Sequence, residues 1–198
     1  MPKGIPLTED EVSRRRYEIF AAATHLFVEK GFNETSMREI GEAAGIGKTT
    51  LYDYFPCKDE ILISFVMEEV HQMTACATEI IAQDTSAGEK LRRILSRHLD
   101  YMVESKLLYL KLTFETQRLS FDSQQRIQTL RHAYQDMLCD LVREGIQNGE
   151  FRPVNPLMAV RGMFSMLTSA IYTSRPTGTP QEMLHEALDI IFKGMETR

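Results

Sequence analysis

Apolar residues recur along this chain at intervals of three and four, the spacing of one helix face, and nowhere alternate with the period of a strand. The first run, Ile19, Phe20, Ala23, Leu26 and Phe27, predicts a helix from about Asp10 to a left-handed cap at Gly31, after a disordered stretch over residues 1–10. Two short helices follow. One opens at Ser36 with Glu39 in capping-box spacing, buries Met37, Ile40 and Ala44, and stops at Gly45. The other is expected over Lys48 to Phe55, with Gly47 at its N-cap, Ile46 stapled to Leu51, and Leu51 and Phe55 facing inward. Its outer face is left with Lys48, Thr49, Tyr52 and Asp53.

Pro56 closes this head, and longer helices follow. A fourth, from about Lys58 to Ala82, carries Leu62, Phe65, Glu69, Met73 and Ala77 along one face. A fifth, Ser86 to Glu104, places Leu91, Ile94, Leu95, His98, Tyr101 and Met102 on its buried side, and a short sixth over Leu107 to Arg118 is apolar all round. The seventh follows Ile127, Leu130, Tyr134, Met137 and Leu141 to a stop at Asn148 and Gly149. Asn155 and Pro156 open an eighth with Val160, Phe164, Leu167 and Ile171, and Thr179, Pro180 and Glu182 open a ninth with Met183, Leu184, Ala187, Leu188 and Ile191. The pattern predicts an all-α protein of about nine helices: a three-helix head over residues 1–57 containing a helix-turn-helix, and a larger helical body over 58–198.

Composition narrows the classes. With 198 residues and 43% hydrophobic content the chain can build a real core, while a net charge of -5 and a pI near 5.6 argue against indiscriminate coating of nucleic acid. Residues 1–58 hold eight Lys or Arg against nine Asp or Glu, so attraction for DNA must come from placement rather than from average charge. Arg14, Arg15 and Arg16 fit either phosphate contacts or a solvated helical turn. Cys57, Cys76 and Cys139 are odd in number and widely separated, which predicts reduced thiols with no disulfide and no structural zinc. His98, His132 and His185 lack close metal-ligand spacing, and no nucleophile, base and orienter set argues for catalysis, so neither metal, cofactor nor enzymatic activity is expected. No apolar run approaches a membrane span and MPKGIPLTEDEV lacks a signal-peptide core, which predicts a soluble cytoplasmic protein.

Gly47, Lys48 and Thr49 mimic the end of a phosphate-binding P-loop, the basis of a remote nucleotide-hydrolase alternative. The register fails, because the motif's first Gly falls on Glu42 and a capped helix replaces the preceding strand.

The stretch AAGIGKTTLYDYFPCKDEIL, preceded by FVEKGFNETSMREI, resembles the DNA-binding domain of the TetR family of bacterial transcriptional regulators over roughly residues 12–64. The resemblance implies a homodimeric, ligand-responsive, sequence-specific regulator of double-stranded DNA, by family default a repressor released from a palindromic operator by a small molecule. Carried over by position, it implies DNA contacts from Ser36 and Arg38, from Lys48, Thr49, Thr50, Tyr52 and Tyr54, and from Lys58. Three residues depart from family habit. Gly47 replaces a polar N-cap; Asp53 puts an acid on the reading face, where it either accepts from cytosine N4 or restrains Arg38 or Lys48; Cys57 stands where a better cap is usual, either a tolerated thiol or a redox-sensitive one.

The last two helices are apolar over a wider arc than a single-sided surface helix needs, which predicts a four-helix dimer interface, and a twofold dimer also suits a palindromic site. His98, Tyr101, Met102, Phe114, Gln117, Tyr134, Met137 and Met166 are the candidate effector-binding residues, as convergent polar and aromatic groups among adaptable methionines; the same methionines also fit as core filler. The other reading left open is a structural DNA-binding protein that needs no effector.

Overall fold

The computed structural model describes residues 8–104, 106, 115–116 and 119–196. Among them the chain is all-α: α1 (Glu9–Lys30), α2 (Met37–Ala43), α3 (Lys48–Tyr54), α4 (Lys58–Ile81), α5 (Ala87–Glu104), α6 (Phe121–Gln147), α7 (Pro156–Tyr172) and α8 (Pro180–Met195). No described segment forms a strand; Phe151 and Glu196 make one isolated antiparallel bridge. The expected helix over Leu107 to Arg118 falls largely outside the described residues. The chain clusters into two compact units, Met1–Val66 with Leu107–Gln124, and Met67–Lys106 with Gln125–Arg198.

In the first unit α1 begins earlier than the periodicity suggests. Thr8 caps it, accepting from the Glu11 amide while the Glu11 carboxylate receives the Thr8 amide, so Thr8, Glu9 and Asp10 belong to an ordered start. Apolar spacing alone misses this, since a cap is polar; the signal was T-x-x-E. Gly31 ends α1 at φ 92 and ψ 155, a positive-φ conformation open to glycine but outside the left-handed helical basin. Helices of seven residues such as α2 and α3 do not persist alone. They are held by the Ser36–Glu39 capping box and by burial of Ile40, Leu51 and Phe55 with Ile19, Ala23 and Phe27 from α1. Each of these isoleucine, leucine and phenylalanine side chains contributes roughly 1.5–3 kcal/mol. Phe20 stacks on Phe65 with centroids 5.1 Å apart, and Phe27 meets Phe32 at 5.0 Å.

In the second unit α7 packs along α8, and α5 packs against both. Arg92 of α5 pairs with Asp189 at 3.0 Å and covers the Phe192 ring at 4.3 Å. Buried Phe151 lies against Gly145 and Gly88, and Glu150 accepts from the Gly88 amide at 2.9 Å. Along α6, Ile127, Tyr134 and Leu141 are buried as the spacing predicts, but Leu138 and Val142 complete the stripe while Leu130 and Met137 lie at its half-buried edge. A straight helix drifts from a seven-residue repeat, so the buried stripe migrates around it. Asn155 caps α7 through the Met158 amide, and a Thr179–Glu182 capping box opens α8.

Candidate nucleic-acid interface and interior cluster

The turn between α2 and α3 is fixed by backbone. Ala44 follows α2 as its cap, Gly45 takes φ 65, and the Ile46 amide donates to the Gly41 carbonyl at 2.9 Å. A Cβ at Gly41 would lie 3.2 Å from the Ile46 carbonyl oxygen and 3.6 Å from Leu51, so the two short helices meet there at a separation suited to glycine. Gly47 sits at the N-cap of α3 without a side-chain bond.

This arrangement leaves Lys48, Thr49, Thr50, Tyr52 and Asp53 exposed on one short helix, with Tyr54 half-buried. Lys48 lies over the Tyr52 ring at 5.9 Å. Arg38 projects from α2 beside Glu42 at 3.7 Å, and both side chains are mostly exposed, so the pair leaves Arg38 available. Among the described residues neither Arg38 nor Lys48 forms an ion pair with Asp53. Ser36 is exposed, yet its hydroxyl donates to Glu39 at 2.7 Å and accepts from the Glu39 amide. Glu39 also receives Lys30 of α1, and these bonds, Lys30 first, hold its carboxyl down at about 2. The arginine run is engaged locally: Arg14 and Arg15 pair with Glu18, and Arg16 covers the Phe55 ring at 4.6 Å.

Lys58, expected among the DNA contacts, is half-buried at the start of α4 and bonded to the loop between α1 and α2. Its ammonium donates to the backbone carbonyls of Phe32 at 2.5 Å, Asn33 at 3.3 Å and Thr35 at 2.9 Å, above the Phe32 ring. Burial pushes its pKa below the ordinary lysine value, opposed by Asp59, Glu115 and Glu34.

The candidate effector residues fall in several places. His98 of α5, Tyr134 of α6 and Phe164 of α7 form a ring cluster with centroids 5.5–5.9 Å apart, and the Tyr134 hydroxyl lies 3.4 Å from His98 Nδ1. Loss of water around the imidazole lowers its pKa, which favours the neutral ring. Tyr101 of α5 donates to Glu69 Oε1 of α4 at 2.9 Å, and Met102 is buried on α5. Met137 is half-buried on α6. Met166 stands apart, lining an open groove of about 270 Å³ with Met183 and Ile190 on α7 and α8. Phe114 and Gln117 lie outside the described residues. Sequence reading placed Glu69 on the apolar face of its helix without marking it as a site. It is 8% exposed, and burial raises its pKa to about 7 against the opposing effects of Tyr101 and Arg131. A single carboxylate on the stripe Leu62, Phe65, Glu69, Met73 was the available signal.

Among the described residues no helix is long and apolar enough to cross a membrane, and no cluster of three metal-ligating side chains occurs.

Residues 19–65 match the family described as "Bacterial regulatory proteins, tetR family", and residues 84–195 match "Tetracyclin repressor-like, C-terminal domain". The fatty acid metabolism regulator protein of Bacillus subtilis is 29% identical over 135 residues, covering 68% of this chain and 70% of that one. The HTH-type transcriptional repressor KstR2 of Mycobacterium tuberculosis is 25% identical over 191 residues, covering 93% and 94%. Among solved structures, the regulator PfmR from Thermus thermophilus has a TM-score of 0.75 at 29% identity over 90% of this chain and 99% of its own. FadR from Bacillus subtilis in complex with stearoyl-CoA has a TM-score of 0.79 at 24% identity over 90% and 98%, a likeness of fold. These relatives are regulators rather than enzymes, and with both halves of the chain matched and the helix-turn-helix in place, the protein belongs to the TetR family of bacterial transcriptional regulators.

Proposed function

We propose that the protein is a cytoplasmic, homodimeric repressor that releases a palindromic operator when an amphipathic small molecule, in the class of long-chain acyl-CoA thioesters, binds its body. The observation that carries the DNA reading is the exposed polar face of α3, held by the glycine turn to α2. Here residues 1–57 read DNA and 58–198 bind the effector and the second subunit. Lys48, Thr49, Thr50, Tyr52 and Tyr54 reach the major groove, where lysine and hydroxyls bond phosphates and base edges and threonine methyls meet thymine, while Ser36 and Arg38 steady the approach. One α3 offers too few base contacts for tight specificity, so two must enter successive major-groove faces about 34 Å apart or a multiple of it.

The dimer reading is supported by apolar groups left outward on α7 and α8, with Met158 62% and Ile190 65% exposed. The effector class is supported by the fatty acid metabolism regulator relative and by the mainly apolar interior around His98 and Tyr134. Release then follows from a population shift. To weaken operator binding a hundredfold, the ligand must favour the released state by about 2.7 kcal/mol.

The test begins with selection of bound duplexes from random DNA, followed by titration of stearoyl-CoA against the selected site. A palindromic consensus, a dimeric mass at micromolar concentration and release by the thioester are expected. A monomeric mass, or operator affinity unchanged at saturating thioester, overturns the respective part of the proposal. Retained operator binding with no response to any ligand in a wider screen would favour an effector-independent DNA-binding protein.

A further inference from the structure

We infer that Lys58 is a positioning residue for DNA reading: it acts by clamping the loop between α1 and α2, through three backbone carbonyls, and not by touching a phosphate.

An ammonium has three N–H donors. The carbonyls of Phe32, Asn33 and Thr35 take up all three, at 2.5, 3.3 and 2.9 Å, and the face of the Phe32 ring closes the site 4.4 Å from the nitrogen. A phosphate contact would require at least one of these bonds to be surrendered. All three belong to the loop that follows the C-terminal end of α1. The loop is tightened further by the Thr35 amide on the Phe32 carbonyl and by the Thr35 hydroxyl on the Gly31 carbonyl, and Thr35 is buried. The clamp therefore gathers three carbonyls of this loop onto one ammonium.

The consequence for DNA lies in what comes next along the chain. Thr35 immediately precedes Ser36, the N-cap of α2, and α2 carries Arg38. Glu39, in the first turn of α2, is tied to α1 by the bond from Lys30. With the start of α2 held by Lys30 and, through Thr35, by Lys58, the orientation of α2 at its first turn, and with it the placement of Arg38, is set by two lysines bonded within the head. Because Lys58 is also the first residue of α4, a displacement of that helix start is passed directly to the start of α2.

The inference rests on the proposal that Arg38 contacts DNA, and the experiment separates the two. Full-length wild type, K58M, K58R, R38A and the K58M/R38A double variant are titrated with a duplex selected by the wild type, at several salt concentrations, after circular dichroism has shown the fraction folded. K58M should weaken binding about tenfold while leaving the dependence of log affinity on log salt unchanged. A lost phosphate contact would instead lower that slope by about 0.9. K58R should fail to restore affinity, because a planar guanidinium cannot direct its donors at three carbonyls of one turn, whereas a phosphate would accept it. In the R38A background K58M should cost less than about threefold, the non-additivity expected of residues acting through one element. A slope reduced by about one, or full rescue by arginine, overturns the clamp. Equal costs in both backgrounds would show that Lys58 does not act through α2 and would overturn the positioning role. If R38A alone binds as wild type, the proposed contact set fails, and the salt slopes of K58M and K58R still decide the clamp.

Discussion

Substituting Glu69 by glutamine should remove a pH-dependent loss of stability. The carboxyl is buried between α4 and α5, bonded by Tyr101 at 2.9 Å, with Arg131 of α6 as a more distant favourable charge. Burial outweighs both and raises its pKa from 4.5 to about 7. The folded protein therefore keeps this proton between pH 4.5 and 7 while the unfolded chain has released it. Stability is greatest below the unfolded value, falls as pH rises through this window, and is flat above the folded value. The gap from 4.5 to about 7, at about 1.4 kcal/mol per pH unit, comes to about 3.5 kcal/mol, of which about 3 kcal/mol falls between pH 4.5 and 8.5. The E69Q amide is neutral throughout and keeps an oxygen to accept from Tyr101. Urea unfolding of wild type and E69Q at fixed protomer concentration, from pH 4.5 to 8.5, isolates the effect, since all other titrations cancel in the difference. The stability of E69Q relative to wild type should rise by about 3 kcal/mol across that range. A difference independent of pH would refute the reasoning, because it would mean that Glu69 is as ionised in the fold as in water.

Three further substitutions or labels probe the architecture. Gly145→Ala would bring a Cβ within 2.3 and 2.5 Å of the Phe151 ring and 3.2 Å of Ala87, and should cost about 1–3 kcal/mol in denaturant unfolding; wild-type stability would show that Phe151 can move aside freely. Asn155→Ala removes the acceptor for the Met158 amide at 3.0 Å and should cost about 1 kcal/mol in the same assay, whereas Asn155→Ser should recover most of it; equal losses in the two would count against capping. With a thiol reagent, exposed Cys57 should react at once and buried Cys139, its pKa raised by burial, only on unfolding. Equal rates at the two positions would contradict the packing of α6.

Much of the head was legible because its determinants are local. A hydroxyl three residues before a glutamate, glycines at the turn, and Leu51 four residues before Phe55 act over distances the chain itself fixes. The same is true of Asn155 and of Thr179 with Glu182, which the structure uses as caps. Where expectation and structure part, the cause is a neighbour distant in sequence. Lys58 looked like a surface cation opening a helix, and only the return of residues 32–35 past it supplies the three carbonyls. Glu69 looked like one more position on a stripe until Tyr101 and the bundle closed over it. Met166 belonged by composition with the other methionines, yet its helix turns it to an open groove.

The sequence by itself determined that the chain is helical, where most helices start and stop, and which short segment reads as a helix-turn-helix, since periodicity and capping are properties of neighbours along the chain. Tertiary structure decided which charged groups are spent inside the protein and which remain for a partner. Burial and hydrogen bonding are set by segments meeting in space, and the same lysine or glutamate is a solvated charge, a clamp or a retained proton according to what folds against it.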